Sequence, residues 1–220
     1  MLLLATQGEP QMRQFAHANL GRLVQPRHYP RLADTAARGI AWAADNDAFG
    51  GFDEPAAVRF EKMLDAIQGI PNCRFVACPD VVGEAGLTDL LFEEWAPKLH
   101  ARGFPVAYVL QEDGVEYDPR GIPWGAISAL FIGCAEDGEK LGERVRSLTS
   151  EAKRRRKWVH MGRVNSARRI AYAREIGCDS IDGTGWMKWR STNLPRGLSL
   201  VSAPPQLNLL AEPALGAAPS

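Results

Sequence analysis

Short apolar runs recur along this chain, and most end at a polar residue or a glycine before an amphipathic helical stretch begins. The clearest instance lies between Lys157 and Arg190. Trp158–Met161 suits a buried parallel strand. Asn165 or Ser166 is placed to cap the helix that follows, because a side-chain oxygen there can accept from a free backbone N–H. Ala167, Ile170, Ala171 and residues 173–176 supply the apolar side of that helix, and Gly177 ends it. Residues 178–181 read as the next strand, and Asp182 stands where it gives way to Gly183-Thr184-Gly185.

The same reading predicts strands at 2–5, 40–44, 73–78, 105–110 and 126–132, with 198–201 as a last one. Helices are predicted at 10–20, 32–38, 54–67, 87–101 and 141–155, and a loop at 22–30. In the 54–67 helix, Val58, Met63, Leu64 and Ile67 give the apolar face and Pro55 suits the first turn. Strands that are apolar throughout and alternate with helices imply parallel pairing under helical cover. The leading fold is therefore α/β, a compact or partly reduced (β/α)8 barrel, for which 220 residues is near the lower limit. A doubly wound open sheet is the runner-up, although no G-x-G-x-x-G follows the first strand. Residues 1–202 are read as one catalytic domain and residues 203–220, rich in Ala, Pro and Leu, as a flexible tail.

Composition narrows the function classes. Lys+Arg and Asp+Glu are both 26, so net charge points to no acidic or basic partner, and any nucleic-acid footprint must be local. Cys73, Cys78, Cys134 and Cys178 form no CxxC pair, and His17, His28, His100 and His160 are scattered. Buried reduced thiols and no zinc site are expected. Residues 1–5 are too short and too soon polar for a secretory signal, and no run reaches membrane-spanning length, so a cytoplasmic protein without a membrane partner is expected.

The predicted strand ends carry Asp45, Asp80, Gln111, Gly133, His160-Met161-Gly162 and Asp182. One Asp before a turn is ordinary turn chemistry. In a barrel, however, all of these converge on one mouth, where such folds assemble their sites. Several carboxylates in one pocket suit divalent-metal binding, which usually brings His or Glu ligands as well. They also suit glycosyl transfer, where one carboxylate attacks the anomeric carbon and another moves protons. A further carboxylate can read a donor edge such as the N1–H and exocyclic amine of guanine.

In this order and spacing the residues resemble tRNA-guanine transglycosylases, and most closely the shortened phage and bacterial relatives associated with 7-deazaguanine in DNA. The resemblance spans about Ile40 to Arg190. Asp45-Asn46-Asp47-Ala48-Phe49 is similar to the family's Asp-Ser-Gly-Gly-Phe, Ile132-Gly133-Cys134 to its Ile-Gly-Gly, Met161-Gly162 to its Met-Gly, and Asp179-Ser180-Ile181-Asp182 to its Asp-x-Phe-Asp. The resemblance implies Asp182 as nucleophile and Asp45 as general acid/base. It implies Asp80, Gln111, Gly133, Met161 and Gly162 as base-binding residues, with Met161 packing on the face of the base. No cofactor is implied, and the partners are DNA (or tRNA), a preQ0-like 7-deazaguanine and, where missing helices are supplied in trans, a homodimer or a helper protein. Two departures matter: Glu112 follows Gln111 where the family has Gly, and Cys134 replaces the second Gly. The zinc site of the tRNA enzymes has no counterpart after Asp182 in this sequence, which shifts the expected polymer towards DNA. The alternatives are a tRNA-guanine transglycosylase or a non-catalytic nucleic-acid-binding module of a larger modification complex, with a metal-dependent hydrolase on the same fold third.

A base inside a duplex cannot reach such a pocket, so the nucleotide must be flipped out or single-stranded. Trp186, Lys188, Trp189 and Arg190 combine aromatic and cationic groups after the nucleophile turn, suiting stacking and phosphate contact. Sealing of the barrel edge by the tryptophans is the equal alternative. Arg163, Arg168 and Arg169 lie at or near the start of the helix on the same side, a position that suits phosphate contact, with an ordinary solvated helix face as the close alternative. The basic run at 153–157 precedes a strand and belongs on the opposite face as a solvated helix end. His160 is expected as a strand-end hydrogen bonder, and Glu112 and Asp113 as loop residues.

Overall fold

The computed structural model describes residues 1–6, 13–47, 51–111, 121–134 and 136–203. Eight parallel strands close into a barrel in sequence order: β1 Leu2–Ala5, β2 Leu20–Val24, β3 Trp42–Ala44, β4 Cys73–Ala77, β5 Val106–Leu110, β6 Ala129–Ile132, β7 Trp158–Met161 and β8 Ser180–Asp182. Closure pairs Leu4 of β1 with Asp182 of β8. The described helices are α1 Leu32–Ala37, α2 Glu54–Ile67, α3 Ala85–Ala101, α4 Asp137–Lys140, α5 Glu143–Arg154, α6 Ala167–Glu175, α7 Thr184–Met187 and α8 Arg190–Ser202. The (β/α)8 reading of the sequence holds.

The two faces of the strands make two cores. Leu4, Leu23, Ala43, Phe75, Ala77, Ala107, Val109, Ala129 and Phe131 fill the barrel interior. Their neighbours along the strands, including Trp42, Val76, Tyr108, Ile132, Val159, Met161 and Ile181, pack outwards against the helices.

Three sequence expectations are corrected. The second strand is Leu20–Val24, inside the stretches read as a helix and a loop, and described residues 13–19 form turns rather than a helix. Gly21 and Arg22 hide this strand. A Cβ at Gly21 would lie 2.5 Å from Leu4 Cδ2 and 3.0 Å from Ala41 O, so a side chain there would have to displace Leu4 in the packed interior. Arg22 is fully buried on the other face, donating from Nη1 to Thr35 Oγ1 at 3.0 Å and from Nη2 to the carbonyls of His28 and Pro30 at 2.6 and 3.0 Å. Residues 198–201 are not a strand: they lie in α8, whose buried Leu194, Leu198 and Val201 follow helical spacing. In α2 the buried face is Ala56, Phe60, Met63, Leu64 and Ile67, while Val58 is exposed.

Other local signals act as read. Pro55 stands in the first turn of α2, and Asp53, which the sequence reading did not single out, caps that helix by accepting from Ala56 N at 2.9 Å. Ser166 caps α6 by accepting from Arg169 N at 3.2 Å, while Asn165 Oδ1 accepts from Gly185 N at 2.7 Å and ties the β7 and β8 loops together. The basic run sits at the foot of β7: Lys153 pairs with Asp179, Arg154 and Arg155 with Glu151, and Lys157 Nζ donates to Ile127 O. The four cysteines are free thiols. No described helix is long and apolar enough to cross a membrane. Residues 204–220 of the expected tail lie outside the described residues.

Candidate active site

A cavity of about 690 Å³ opens at the C-terminal ends of the strands. It is lined by Asp45, Asp80, Gln111, Gly133, Gly162, Arg163, Arg169, Asp182 and Lys188 among the candidate site residues singled out in the sequence. The strands position these groups by their period of two. Asp182 is the last residue of β8, buried and facing inwards above Ser180. Asp45, Gln111 and Gly133 each follow a strand by one residue.

Asp182 is held from β7 and from the loop after it. Its Oδ2 is bonded to His160 Nε2 at 2.9 Å, and among the described residues its Oδ1 receives a long contact from Arg163 N–H at 3.4 Å. Across the mouth, Asp80 is buried and accepts at both oxygens, from Asn46 Nδ2 at 2.7 Å and Gln111 Nε2 at 2.6 Å. Burial raises its pKa, and the two amide hydrogen bonds and the charge of Arg163 oppose that rise. Asp45 accepts from Gln25 Nε2 at 2.9 Å. Desolvation, and then the negative charges of Asp80, Asp182 and Asp47, push its carboxyl up to about 7, against the Gln25 hydrogen bond. A carboxyl poised there can give or take a proton near neutral pH.

Cations line the other part of the rim. Arg163, Arg169 and Lys188 face the cavity on the β7 and β8 side, and Arg27 forms a bidentate pair with Asp47 at 2.5 and 2.6 Å. Arg169 Nη1 also donates to Arg163 O, tying the loop to α6. Beneath the rim, fully buried Lys140 donates to Gly162 O at 2.9 Å, and burial lowers its pKa to about 8.

The glycines serve by lacking a side chain. A Cβ at Gly133 would lie 2.7 Å from Gln111 Nε2, and one at Gly162 would lie 2.6 Å from Phe131 Cε2. Both positions therefore leave room for a neighbour that lines the pocket.

Some expected residues lie elsewhere. Met161 is fully buried against the helix layer, because His160 and Gly162 on either side of it face inwards. It cannot pack on a base in this cavity; Val82, Val109, Phe131 and Met187 supply the apolar lining instead. Trp186 is buried, its Nε1 donates to Val164 O, and it packs under Gly197, so it seals the barrel edge. Trp189 is 72% exposed at the rim, next to Lys188. Arg168 is exposed on α6 and does not line the cavity. The side chain of Arg190, and Ala48, Phe49, Glu112 and Asp113, lie outside the described residues.

Sequence reading missed Gln25, Arg27, Asn46, Phe131 and Met187. Gln25 follows β2 directly, so recognising that strand would have placed it at the mouth. Among the described residues, no group of three or more His, Cys, Asp or Glu is arranged to hold a metal ion.

No protein-family model matches the chain, and no curated protein does. Solved structures do. One is 3-hexulose-6-phosphate synthase from Salmonella typhimurium, 15% identical, matched over 91% of this chain and 96% of that one with a TM-score of 0.52. Another is a mandelate oxidase variant with a monooxide FMN adduct, 13% identical over 91% of this chain and 71% of that one, with a TM-score of 0.55. At such identities the likeness establishes the barrel and leaves the chemistry to the residues themselves.

Proposed function

We propose that this chain is a guanine transglycosylase-like pentosyltransferase, replacing guanine in DNA by a preQ0-like 7-deazaguanine. The observation that carries the reading is that Asp45, Asp80, Gln111, Gly133, Gly162 and Asp182, far apart in sequence, line one cavity of a size suited to a nucleoside. The choice of polymer rests on the family resemblance.

In the first displacement, Asp182 Oδ1 attacks C1′ of the flipped nucleotide. The C1′–N9 bond breaks, its electron pair leaves with guanine, and the carboxylic acid of Asp45 protonates the departing ring. The product is a glycosyl ester on Asp182. In the second displacement the Asp45 carboxylate takes the N9 proton of the incoming 7-deazaguanine. N9 then attacks C1′, the ester C–O bond breaks, and the Asp182 carboxylate is regenerated. Two inversions give retention at C1′, and the proton given to guanine is recovered from the incoming base. Asp80 and Gln111 form the edge against which a purine's polar groups would lie. Arg163, Arg169 and Lys188 would meet phosphates of the strand.

Incubation with radiolabelled guanine or preQ0 and, in parallel, duplex DNA, single-stranded DNA and tRNA tests the reading. Label in DNA with the wild type and none with Asp182→Ala is expected. Label in tRNA alone corrects the polymer. Tight DNA binding without exchange in any combination favours a binding module.

A further inference from the structure

The inward-facing side chains of β7 and β8 form one continuous hydrogen-bonded line beneath the proposed nucleophile. Trp158 Nε1 donates to Ser180 Oγ at 2.8 Å, Ser180 Oγ meets His160 Nδ1 at 2.8 Å, and His160 Nε2 meets Asp182 Oδ2 at 2.9 Å. Parallel pairing sets His160 beside Ser180, and the two-residue period stacks Trp158 under His160 and Ser180 under Asp182.

Proton accounting orders this line. A carboxylate only accepts, so His160 Nε2 carries a hydrogen and donates it to Asp182. An indole only donates, so Ser180 Oγ accepts from Trp158; with the ring neutral, the Ser180 hydroxyl hydrogen is the one directed at Nδ1. The ring itself is 0% exposed. It meets Phe131 edge-on at 4.5 Å between centroids and lies tilted to Phe75 at 5.1 Å. Turning the imidazole would break both hydrogen bonds in a pocket with no water-facing side, which is costly. The ring is thus fixed with one N–H aimed at one oxygen of the carboxylate.

We infer that His160 is a positioning residue for Asp182, holding Oδ2 so that Oδ1 is the oxygen presented to C1′ and supporting the carboxylate as it leaves the sugar. The second role follows from charge. In the glycosyl ester Oδ2 is a carbonyl oxygen, and when the C1′–Oδ1 bond breaks, negative charge spreads onto it. The Nε2 hydrogen is already in place, so no reorganisation is needed at that moment. The catalytic step rests on the transglycosylase reading; the hydrogen-bonded line does not.

Two variants separate position from fold. His160→Gln puts an amide N–H near the place of Nε2, while His160→Leu leaves an apolar side chain against Phe75 and Phe131. With the full chain, His160→Leu is expected to lower kcat for base exchange by about 10²-fold, with KM for DNA falling alongside it so that kcat/KM for DNA changes much less. A covalent protein–DNA species should build up after acid quench, because ester breakdown slows more than its formation. His160→Gln should recover activity to within about tenfold of wild type. A folded His160→Leu enzyme with unchanged kcat, or a folded His160→Gln enzyme no better than it, overturns the inference. If both variants unfold, 15N-resolved imidazole NMR of the unliganded wild type decides: a hydrogen on Nε2, with a resonance that moves in Asp182→Ala, is expected, and a bare Nε2 overturns the inference. A protonated Nε2 in a wild-type protein that transfers no base to any polymer instead sinks the transglycosylase reading, and the catalytic role with it.

Discussion

On the β3 to β5 side of the mouth, carboxyls are bonded by neutral amides: Asp45 accepts from Gln25, and Asp80 from Asn46 and Gln111. On the β7 to β8 side, Asp182 is bonded to an imidazole, and Arg163, Arg169 and Lys188 stand around it. Burial raises the pKa of both Asp45 and Asp80, so the first side offers a carboxyl that can trade a proton and others held by hydrogen bonds, with the Arg27–Asp47 ion pair beside them. The second side carries Arg163, Arg169 and Lys188, while Arg27 is paired with Asp47 on the first. A nucleotide divides in the same way, into a neutral base with polar edges and an anionic backbone. On the proposed transglycosylase reading, a bound nucleotide would follow this contrast, with the base towards β3 to β5, the phosphates towards α6 and α7, and C1′ between them at Asp182.

That division can be broken at either side. The largest effect is expected from Asp182→Ala, which should cut exchange by about 10³-fold or more in a protein that still folds, read by incorporation of labelled base. Next, Asp45→Asn should lower exchange by about 10²–10³-fold while DNA binding holds. The wild-type rate of the half-reaction in which Asp45 is the base should rise with pH through about 7 and flatten above it, since only the carboxylate accepts a proton. Asp45→Asn should lose that limb, as measured by single-turnover pH profiles.

Gln111→Ala should raise KM for the incoming base about tenfold and leave the salt dependence of DNA binding alone. Arg169→Ala and Lys188→Ala should do the reverse, weakening DNA binding and reducing the slope of log K against log salt by about one unit for each phosphate no longer neutralised. Equal effects of Gln111→Ala and Lys188→Ala on that slope would erase the distinction between the two sides.

The smallest effect expected is on stability. A carboxyl raised in the fold to about 7 opposes folding once pH exceeds its unfolded value. Relative to wild type, Asp45→Asn should therefore gain nothing below about pH 4. Its gain should grow between there and about pH 7 and stay level above, at about 1–2 kcal/mol because the side chain at the cavity wall is partly open to solvent. Chemical unfolding at pH 4 and pH 8 measures it.

The two sides were unequally legible in the sequence. Asp45, Asp80, Gln111 and Asp182 end apolar strands, and that pattern alone placed them at one mouth. Gln25 stayed hidden because its strand carries Gly21, where a side chain would have to displace Leu4, and Arg22, satisfied by buried carbonyls that no local pattern reveals. In β7 the run Trp158–Met161 is apolar enough on both faces that its phase cannot be read. Barrel closure fixes it: Asp182 faces inwards, His160 is paired with Ser180, and Met161 is turned out. The same holds for Trp186 and Trp189, two tryptophans of one short segment, of which the first is buried by an acceptor from the β7 loop and the second left at the rim.

The most direct test of the reading is to trap the sugar on the enzyme. Wild-type protein is mixed with guanine-containing DNA without incoming base, acid-quenched, digested and mapped by mass spectrometry. A glycosyl adduct on Asp182 that disappears when a 7-deazaguanine is added before the quench is the expected result. An adduct on another residue, or base exchange that proceeds in Asp182→Ala, would contradict it.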